Sequence, residues 1–415
     1  MTTNTQLLNV DIKPLEKQIL DIPKEVKFCR KCVVSNQRPR IVFDEEGVCS
    51  ACRFAERKHN GIDWGMRESE LEQLLDKHRR NDGSWDIVVP GSGGKDSAYV
   101  AHQLRDRWGM NPLTVTWSPF VYTDIGRKNF HKFIDAGFNN ILATPNGELH
   151  RKLSKLSFLG VGDAWQPFTY GQVSYAFHIA LKFGIKLVFF GENGEAEYGG
   201  DTKNNDLPGM PLEDWRMLYF KGANLDELLQ RGVDHGLFTE RDAKNNFHFY
   251  YPPSAEDMRQ SGCEMHWYSY YQKWVPQENY YYCLEHTGFE ANSERSEGTF
   301  SKYASIDDQM DGFHFYLAYI KFGISRCTSD AAHEVRDGHI TREEAIALVR
   351  RYEGEFPKKY FKEFLEYTDI TEDQFWRVID SWRQKHIWDK RGDDWHLKHA
   401  VHYPEDAVEA IEWDI

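Results

Sequence analysis

The segment Val88-Val89-Pro90-Gly91-Ser92-Gly93-Gly94-Lys95-Asp96-Ser97 runs from an apolar strand through a glycine-rich turn into the start of a helix, an arrangement that can receive a phosphate group. Gly91, Gly93 and Gly94 allow backbone conformations closed to other residues and a close approach to an anion. The N–H groups that open the following helix then point at that anion, aided by the helix dipole. The spacing is not that of the longer loop in which a closing lysine reaches the terminal phosphates.

A second set of residues has metal-ligand spacing. Cys29-Arg30-Lys31-Cys32 and Cys49-Ser50-Ala51-Cys52 are two C-x-x-C knuckles joined by a short segment, close to the pattern that binds tetrahedral zinc. Four thiolates from Cys29, Cys32, Cys49 and Cys52 would satisfy one Zn²⁺ fully, so the expected site is structural and pins a ribbon over 28–54 too short to fold on a core of its own. Two disulfides, a redox pair or an iron–sulfur cluster are the competing readings. Cys263, Cys283 and Cys327 are a scattered remainder that fits a reducing cytoplasm.

The elements that must position these groups follow from periodicity. Ser69-Glu70-Leu71-Glu72 reads as a capping box that opens a helix to about Arg80. Strands are then expected at Trp85–Pro90, Leu113–Trp117, Asn140–Ala143 and Lys186–Phe190, alternating with helices at Asp96–Trp108, Arg127–Ala136 and Tyr170–Phe183. Short apolar strands alternating with helices predict an α/β fold, a doubly wound parallel sheet covered on both faces. Ligands in such sheets sit at the carboxyl ends of the strands, which makes Thr116 and the turn Gly191-Glu192-Asn193-Gly194 candidate pocket walls beside the glycine-rich loop. The expected organisation is an N-terminal segment with the zinc ribbon (1–60), an α/β core (61–200), an insertion or elaboration (201–276), and the remainder of the core with a helical C-terminal region (277–415). Helices are expected from Thr341-Arg342-Glu343-Glu344 through Tyr352, at Phe361–Tyr367 and at Gln374–Arg383.

Composition bounds the function. The 415 residues carry a net charge of -14, which argues against a generic nucleic-acid binder, although residues 24–58 hold nine Lys or Arg against five Asp or Glu. No apolar run approaches the ~20 residues that span a bilayer, and Met1 to Leu20 has no signal-peptide pattern. No nucleic acid and no membrane are expected as partners, and a cytoplasmic location follows. Aromatic runs such as Phe247-His248-Phe249-Tyr250-Tyr251 and Tyr280-Tyr281-Tyr282 suit a carbohydrate or nucleotide pocket.

The hexapeptide Ser92 to Ser97 resembles the PP-loop of the ATP pyrophosphatases, which cleave ATP between its α and β phosphates. With the double knuckle, Gly191-Glu192-Asn193-Gly194-Glu195, the run Ser301 to Asp308, Tyr319-Ile320-Lys321-Phe322-Gly323 and Glu334-Val335-Arg336-Asp337-Gly338, the chain resembles the N-acetyl sugar amidotransferases, a PP-loop branch used in bacterial surface-glycan biosynthesis such as lipopolysaccharide O-antigen or flagellin glycans. The resemblance implies the PP-loop (adenine nucleotide alpha-hydrolase) type of sheet and conversion of a sugar N-acetyl group to an acetamidino group. Acceptors in such pathways are nucleotide-linked diacetamido uronic acids or sialic-acid-like sugars. In this scheme Ser92, Gly93, Gly94, Lys95 and Ser97 hold the departing pyrophosphate of ATP. Asp96 orients the loop or holds Mg²⁺, and Glu192 is a second acidic candidate. Asp307, Asp308 and Asp311 precede the helix carrying Lys321, and Lys321 or Arg326 could counter phosphate or sugar carboxylate charge. His150, His178, His266 and His314 are proton-transfer groups by type alone and receive no role.

Ammonia must be supplied, and the chain has no recognisable glutaminase. Residue 2 is Thr, and none of Cys263, Cys283 or Cys327 sits in a glycine-flanked nucleophile elbow; Cys263 with His266 is the nearest approach. The resemblance implies a separate glutaminase and ammonia-channel pair resembling imidazole glycerol phosphate synthase. The alternatives are a PP-loop tRNA-modifying enzyme of the thiolation type and a non-catalytic nucleotide-binding module.

Overall fold

The structure, a computed structural model, describes residues 14–211, 214 and 219–413. Thr2 and the start of the N-terminal segment lie outside the described residues. Five short strands form one parallel sheet in the order β3-β2-β1-β4-β5: β1 Ile87–Pro90, β2 Pro112–Trp117, β3 Asn139–Ala143, β4 Leu187–Phe190 and β5 Glu264–Trp267. Alternation along β1 explains why helices cover both faces. Val88 packs with Leu113, Val188, Leu153 and Phe177 on one side, whereas Ile87 and Val89 pack with Leu71, Val100, Ala101 and Phe133 on the other.

The helices of the first half are α1 Ser50–Asn60, α2 Trp64–His78, α3 Lys95–His102, α4 Asp124–Asp135, α5 Gly147–Val161, α6 Gln166–Lys182 and α7 Gly194–Tyr198. Helix α2 starts five residues before the expected capping box, because Asp63 accepts the Met66 N–H at 3.0 Å and so caps the chain earlier. Ser69 is already inside it, with its hydroxyl donating to the Gly65 carbonyl at 3.1 Å. Past α3 the helix widens to π spacing over Gln103–Arg107 rather than running on as α-helix to Trp108. Helix α5 was not expected at all. Its sequence nevertheless holds a helical period, with Leu149, Leu153 and Leu156 buried and Glu148, Arg151 and Lys152 on the outer face.

The segment 201–276, expected as an elaboration, supplies a strand of the sheet itself. β5 pairs in parallel with β4, Phe189 opposite His266. Further along, the Thr341–Glu344 capping box opens a helix over Arg342–Tyr352 as expected, and helices follow at Phe361–Thr368 and Glu372–Trp382. Phe313, Phe364 and Phe375 from the C-terminal half pack against Phe158 of α5. The cysteine knuckles pack against Ala331, Val335, Ala345 and Val349, in helices some 300 residues later in the chain. No described helix is long and apolar enough to cross a membrane.

Candidate active site and metal centre

The turn after β1 is held from below. Thr116 of β2 donates its hydroxyl to the Gly91 carbonyl at 2.5 Å and receives the Asn140 amide at 2.8 Å. Thr116 is thus buried under the loop, supporting it, and does not face the pocket where the sequence expected it. Gly93 has φ +91, and a Cβ there would sit 2.7 Å from Phe130 Cα, so only glycine lets the loop lie against α4. At Gly91 a Cβ would meet Ser97 Cβ at 2.5 Å. The Gly91 amide goes to Val115 and the Ala98 amide to Gly94, while the amides of residues 92–97 take no acceptor among the described residues. These amides form a cradle that fits a polyphosphate.

Around the cradle are two adjoining cavities. One, of about 320 Å³, opens at the ends of β1 and β4 between Gly91, Ser97, Phe190, Glu192, Trp117 and Trp267. The other, of about 290 Å³, lies between Lys95, Tyr303, Asp307, Asp311 and Arg326. Gly94, Asp96, Phe168 and Gln172 wall both. Gln172 had no sequence signal: it is an exposed residue within an otherwise buried turn of α6, and its exposure is to this cleft. Lys95 Nζ grips both carboxylate oxygens of Asp96, at 2.7 and 2.6 Å, so each charge is held ready beside the cradle. Among the described residues Glu192 has no such cation partner at hydrogen-bond distance. Burial, reinforced by Asp96, pushes its carboxyl up to about 7.

The far wall comes from the run Ser301 to Asp308. The Ser92 hydroxyl donates to Asp307 Oδ2 at 2.8 Å. Asp307 can come this close because Gly126 of α4 has no side chain; a Cβ there would lie 2.4 Å from Asp307 Cα. Asp308 is buried and accepts the amides of Phe120, Val121 and Met310, so it organises the loop after β2 instead of offering its charge to a ligand. Asp311 is pushed up to about 6 by burial and then by Asp307.

Lys321 is not part of this site. It is buried, paired with Glu16 and donating to the Val161 carbonyl at 3.2 Å, and it lines neither cavity. The expectation that it meets the nucleotide is corrected accordingly: a buried ammonium closed off by its own carboxylate has no phosphate within reach. The four histidines also have local partners, His150 with Tyr250, His178 with the Tyr251 carbonyl, His266 with Tyr271 and His314 with Asp163. Burial pushes both Cys263 and Cys283 up to about 12, so neither is poised as a thiolate nucleophile.

The second centre is the cysteine cluster. Cys29, Cys32, Cys49 and Cys52 are fully buried, and their sulfurs all lie within 4.8 Å of one another. The Cys29–Cys52 and Cys32–Cys49 separations are both 3.8 Å, the edge of a tetrahedron with metal–sulfur bonds of about 2.3 Å. All four are free thiols, which removes the disulfide reading. The set fits a single metal ion held by four thiolates. The guanidinium of Arg336 stands 4.0 Å from Cys32 Sγ and donates to the Glu197 carbonyl of α7 at 2.9 Å. Burial works against its charge, and the surrounding sulfurs outweigh burial and raise its pKa. Arg342 closes the cluster from outside, donating to the carbonyls of Cys32 and Cys29 at 3.1 and 3.2 Å.

The fold and the loop define the class: a doubly wound, parallel α/β protein whose glycine-rich turn after β1 resembles a PP-loop, with a four-cysteine cluster near its N-terminus. Residues 297–402 match the model of the WbpG-like LPS biosynthesis protein C-terminal domain. That segment is similar to the WbpG-like domain, which fits the chain's resemblance to the N-acetyl sugar amidotransferases. No curated protein matches the chain. Among solved structures, the U34-tRNA thiolase NcsA from Methanococcus maripaludis with its [4Fe-4S] cluster is similar at 11% identity, over 75% of this chain and 86% of that one, with a TM-score of 0.25. Likeness at that level transfers no ligand or activity.

Proposed function

We propose that the protein is an ATP-dependent, AMP-forming amidotransferase that converts a sugar N-acetyl group into an acetamidino group in lipopolysaccharide or related surface-glycan biosynthesis. The observation that carries this reading is that the WbpG-like segment supplies the far wall of the PP-loop cleft, through Asp307, Asp311 and Arg326.

An acetamide carbonyl is a poor electrophile whose oxygen does not leave. Attack of that oxygen on the α-phosphorus of ATP forms the O–P bond, breaks the bond to the β-phosphate and releases pyrophosphate, while the amide N–H proton is lost. Ammonia then adds to the imidate carbon, and the C–O bond breaks with AMP as the leaving group. The free amides of residues 92–97 and the Lys95 ammonium match the charge that builds on pyrophosphate. Bound Mg²⁺ would supply further positive charge to that leaving group, and Asp96 and Glu192, which line the same cavity, would hold it. Glu192 is also placed to take a proton from the incoming nitrogen. The four-cysteine centre would hold Zn²⁺ and brace the fold; with all four positions filled by protein it has none open for substrate.

Nitrogen comes from a partner glutaminase, since Cys263, Cys283 and Cys327 are buried and burial pushes the first two thiols up to about 12. Against the tRNA-thiolation alternative, no described cysteine lines either cavity. Incubation with ATP, an ammonium salt and candidate acetamido sugars should yield AMP, pyrophosphate and a product about one dalton lighter. ADP and phosphate as products, or no mass change with any acetamido sugar, would exclude the reaction.

A further inference from the structure

Two residues that line the cleft head elements that run back to the four-cysteine centre. Glu192 lines the cavity at the strand ends, and α7 begins two residues after it. Arg326 lines the adjoining chamber and opens the helix Arg326–Arg336. The two elements touch through the rings of Tyr198 and His333, whose centroids are 4.5 Å apart.

Their far ends converge on the cysteines. Arg336, buried at the end of the longer helix, spans from Cys32 Sγ at 4.0 Å to the Glu197 carbonyl at 2.9 Å. From the ribbon, Arg38 donates to the Gly199 carbonyl at 2.8 Å, and Arg40 pairs with Glu195 at 2.7 Å. The last carbonyls of a helix have no partners within it, so Arg336 and Arg38 supply donors that the five-residue α7 lacks. Lys58 of α1 pairs with Glu197 at 3.2 Å and with Asp337 at 2.9 Å, and it donates to the Trp274 carbonyl at 2.9 Å. Gly199 takes φ +89 and lies so near the ribbon that a Cβ there would be 2.8 Å from Ile41 Cδ1. The knuckles themselves pack on Ala331 and Val335 of the longer helix. Closing a short ribbon requires none of these contacts with α7.

Resting on the amidotransferase reading, we propose that Arg336 is a positioning residue, a strut through which the loaded four-cysteine centre fixes Glu192 and Arg326 relative to the glycine-rich loop. A guanidinium can fork between a sulfur and a carbonyl, and four thiolates held on one metal give it a fixed anchor. With the metal gone nothing holds the sulfurs at tetrahedral distance, so the anchor shifts and α7 shifts with it. Misplacing a reacting group by about 1 Å can cost ~10²-fold in rate, so a small shift of α7 slows turnover.

The test uses the full chain, loaded with Zn²⁺ or stripped with a chelator, and hydrogen exchange read without turnover. Stripping should speed exchange about fivefold or more in 192–200 and 324–336 as well as in the ribbon, while α4 keeps its rate. Zinc-loaded Arg336→Met should speed exchange in 192–200 with the metal still bound, and lower kcat about tenfold or more. Arg38→Met releases the Gly199 carbonyl and leaves Arg336 in place. It should show the same pattern, and it carries the test if Arg336→Met loses its metal or fails to fold. Exchange that quickens evenly, α4 included, or that keeps its wild-type rate in 192–200 of the zinc-loaded variants, overturns the strut. If exchange changes as expected but no acetamido sugar is converted, the amidotransferase reading falls and the strut stands. If sugar is converted and both variants keep wild-type kcat and exchange, the strut falls and the reaction stands.

Discussion

The hydroxyl of Ser92 and the carboxylate of Asp307, 215 residues apart in the chain, are joined by a 2.8 Å hydrogen bond. Through it the glycine-rich turn is anchored to the same run that walls the second chamber, so the turn and that wall are positioned as one unit. Gly126→Ala would drive a Cβ into Asp307 and force the two apart. It should cost about 1–3 kcal/mol of stability, as overpacking does, and raise the KM for ATP several-fold. Ser92→Ala should change the KM for ATP with little loss of melting temperature. Wild-type kinetics in both variants would show that the anchor does nothing for the site.

The leaving group is traceable. With ¹⁸O in the acetamido oxygen, the label should appear in AMP, and Lys95→Ala or Asp96→Ala should slow turnover at least ~10²-fold if their charges act on the transition state. Unlabelled AMP is the result that excludes an adenylated imidate.

Metal analysis of protein prepared under reducing, chelator-free conditions should find about one zinc per chain. Cys32→Ala should retain little of it. Because the knuckles pack directly on Ala331 and Val335, chelation should also lower the melting temperature, since metal binding free energy is folding free energy at such sites. Metal-free protein with an unchanged melting curve would remove the structural role.

Glu192 has a pH signature. Its carboxyl titrates near 7 in the folded protein against 4.5 ordinarily, so the folded state binds the proton more tightly than the unfolded chain. Stability is then lost as pH rises from about 4.5 through 7, by about 1–3 kcal/mol. Glu192→Gln should melt higher than wild type at pH 8 and lose that advantage at pH 4. Parallel pH–stability curves for the two proteins would mean that Glu192 carries no such strain.

Ammonium salts should support turnover by the isolated chain, at a rate that climbs with pH toward ~9 because only NH₃ attacks. Glutamine should fail until a partner glutaminase is added, because burial holds the Cys263 and Cys283 thiols up at about 12. Robust glutamine-dependent turnover by the single chain, abolished in Cys263→Ser, would assign the nucleophile that the structure argues against.

Local patterns in the chain determined the strand–turn–helix of the phosphate loop, the four parallel strands from Ile87 to Phe190 and the pairing of two cysteine knuckles, because each depends on neighbours within about thirty residues. Short apolar runs bounded by turns and C-x-x-C spacing are visible without tertiary contacts. Tertiary structure decided the rest. β5 is a four-residue strand whose identity comes from its pairing with β4. Lys321 and Asp307 are both charged residues in motif-like runs. Only packing sends the first to Glu16 and the second to Ser92, because a charge takes its function from the partner that folding brings within about 3 Å, and that partner can lie hundreds of residues away.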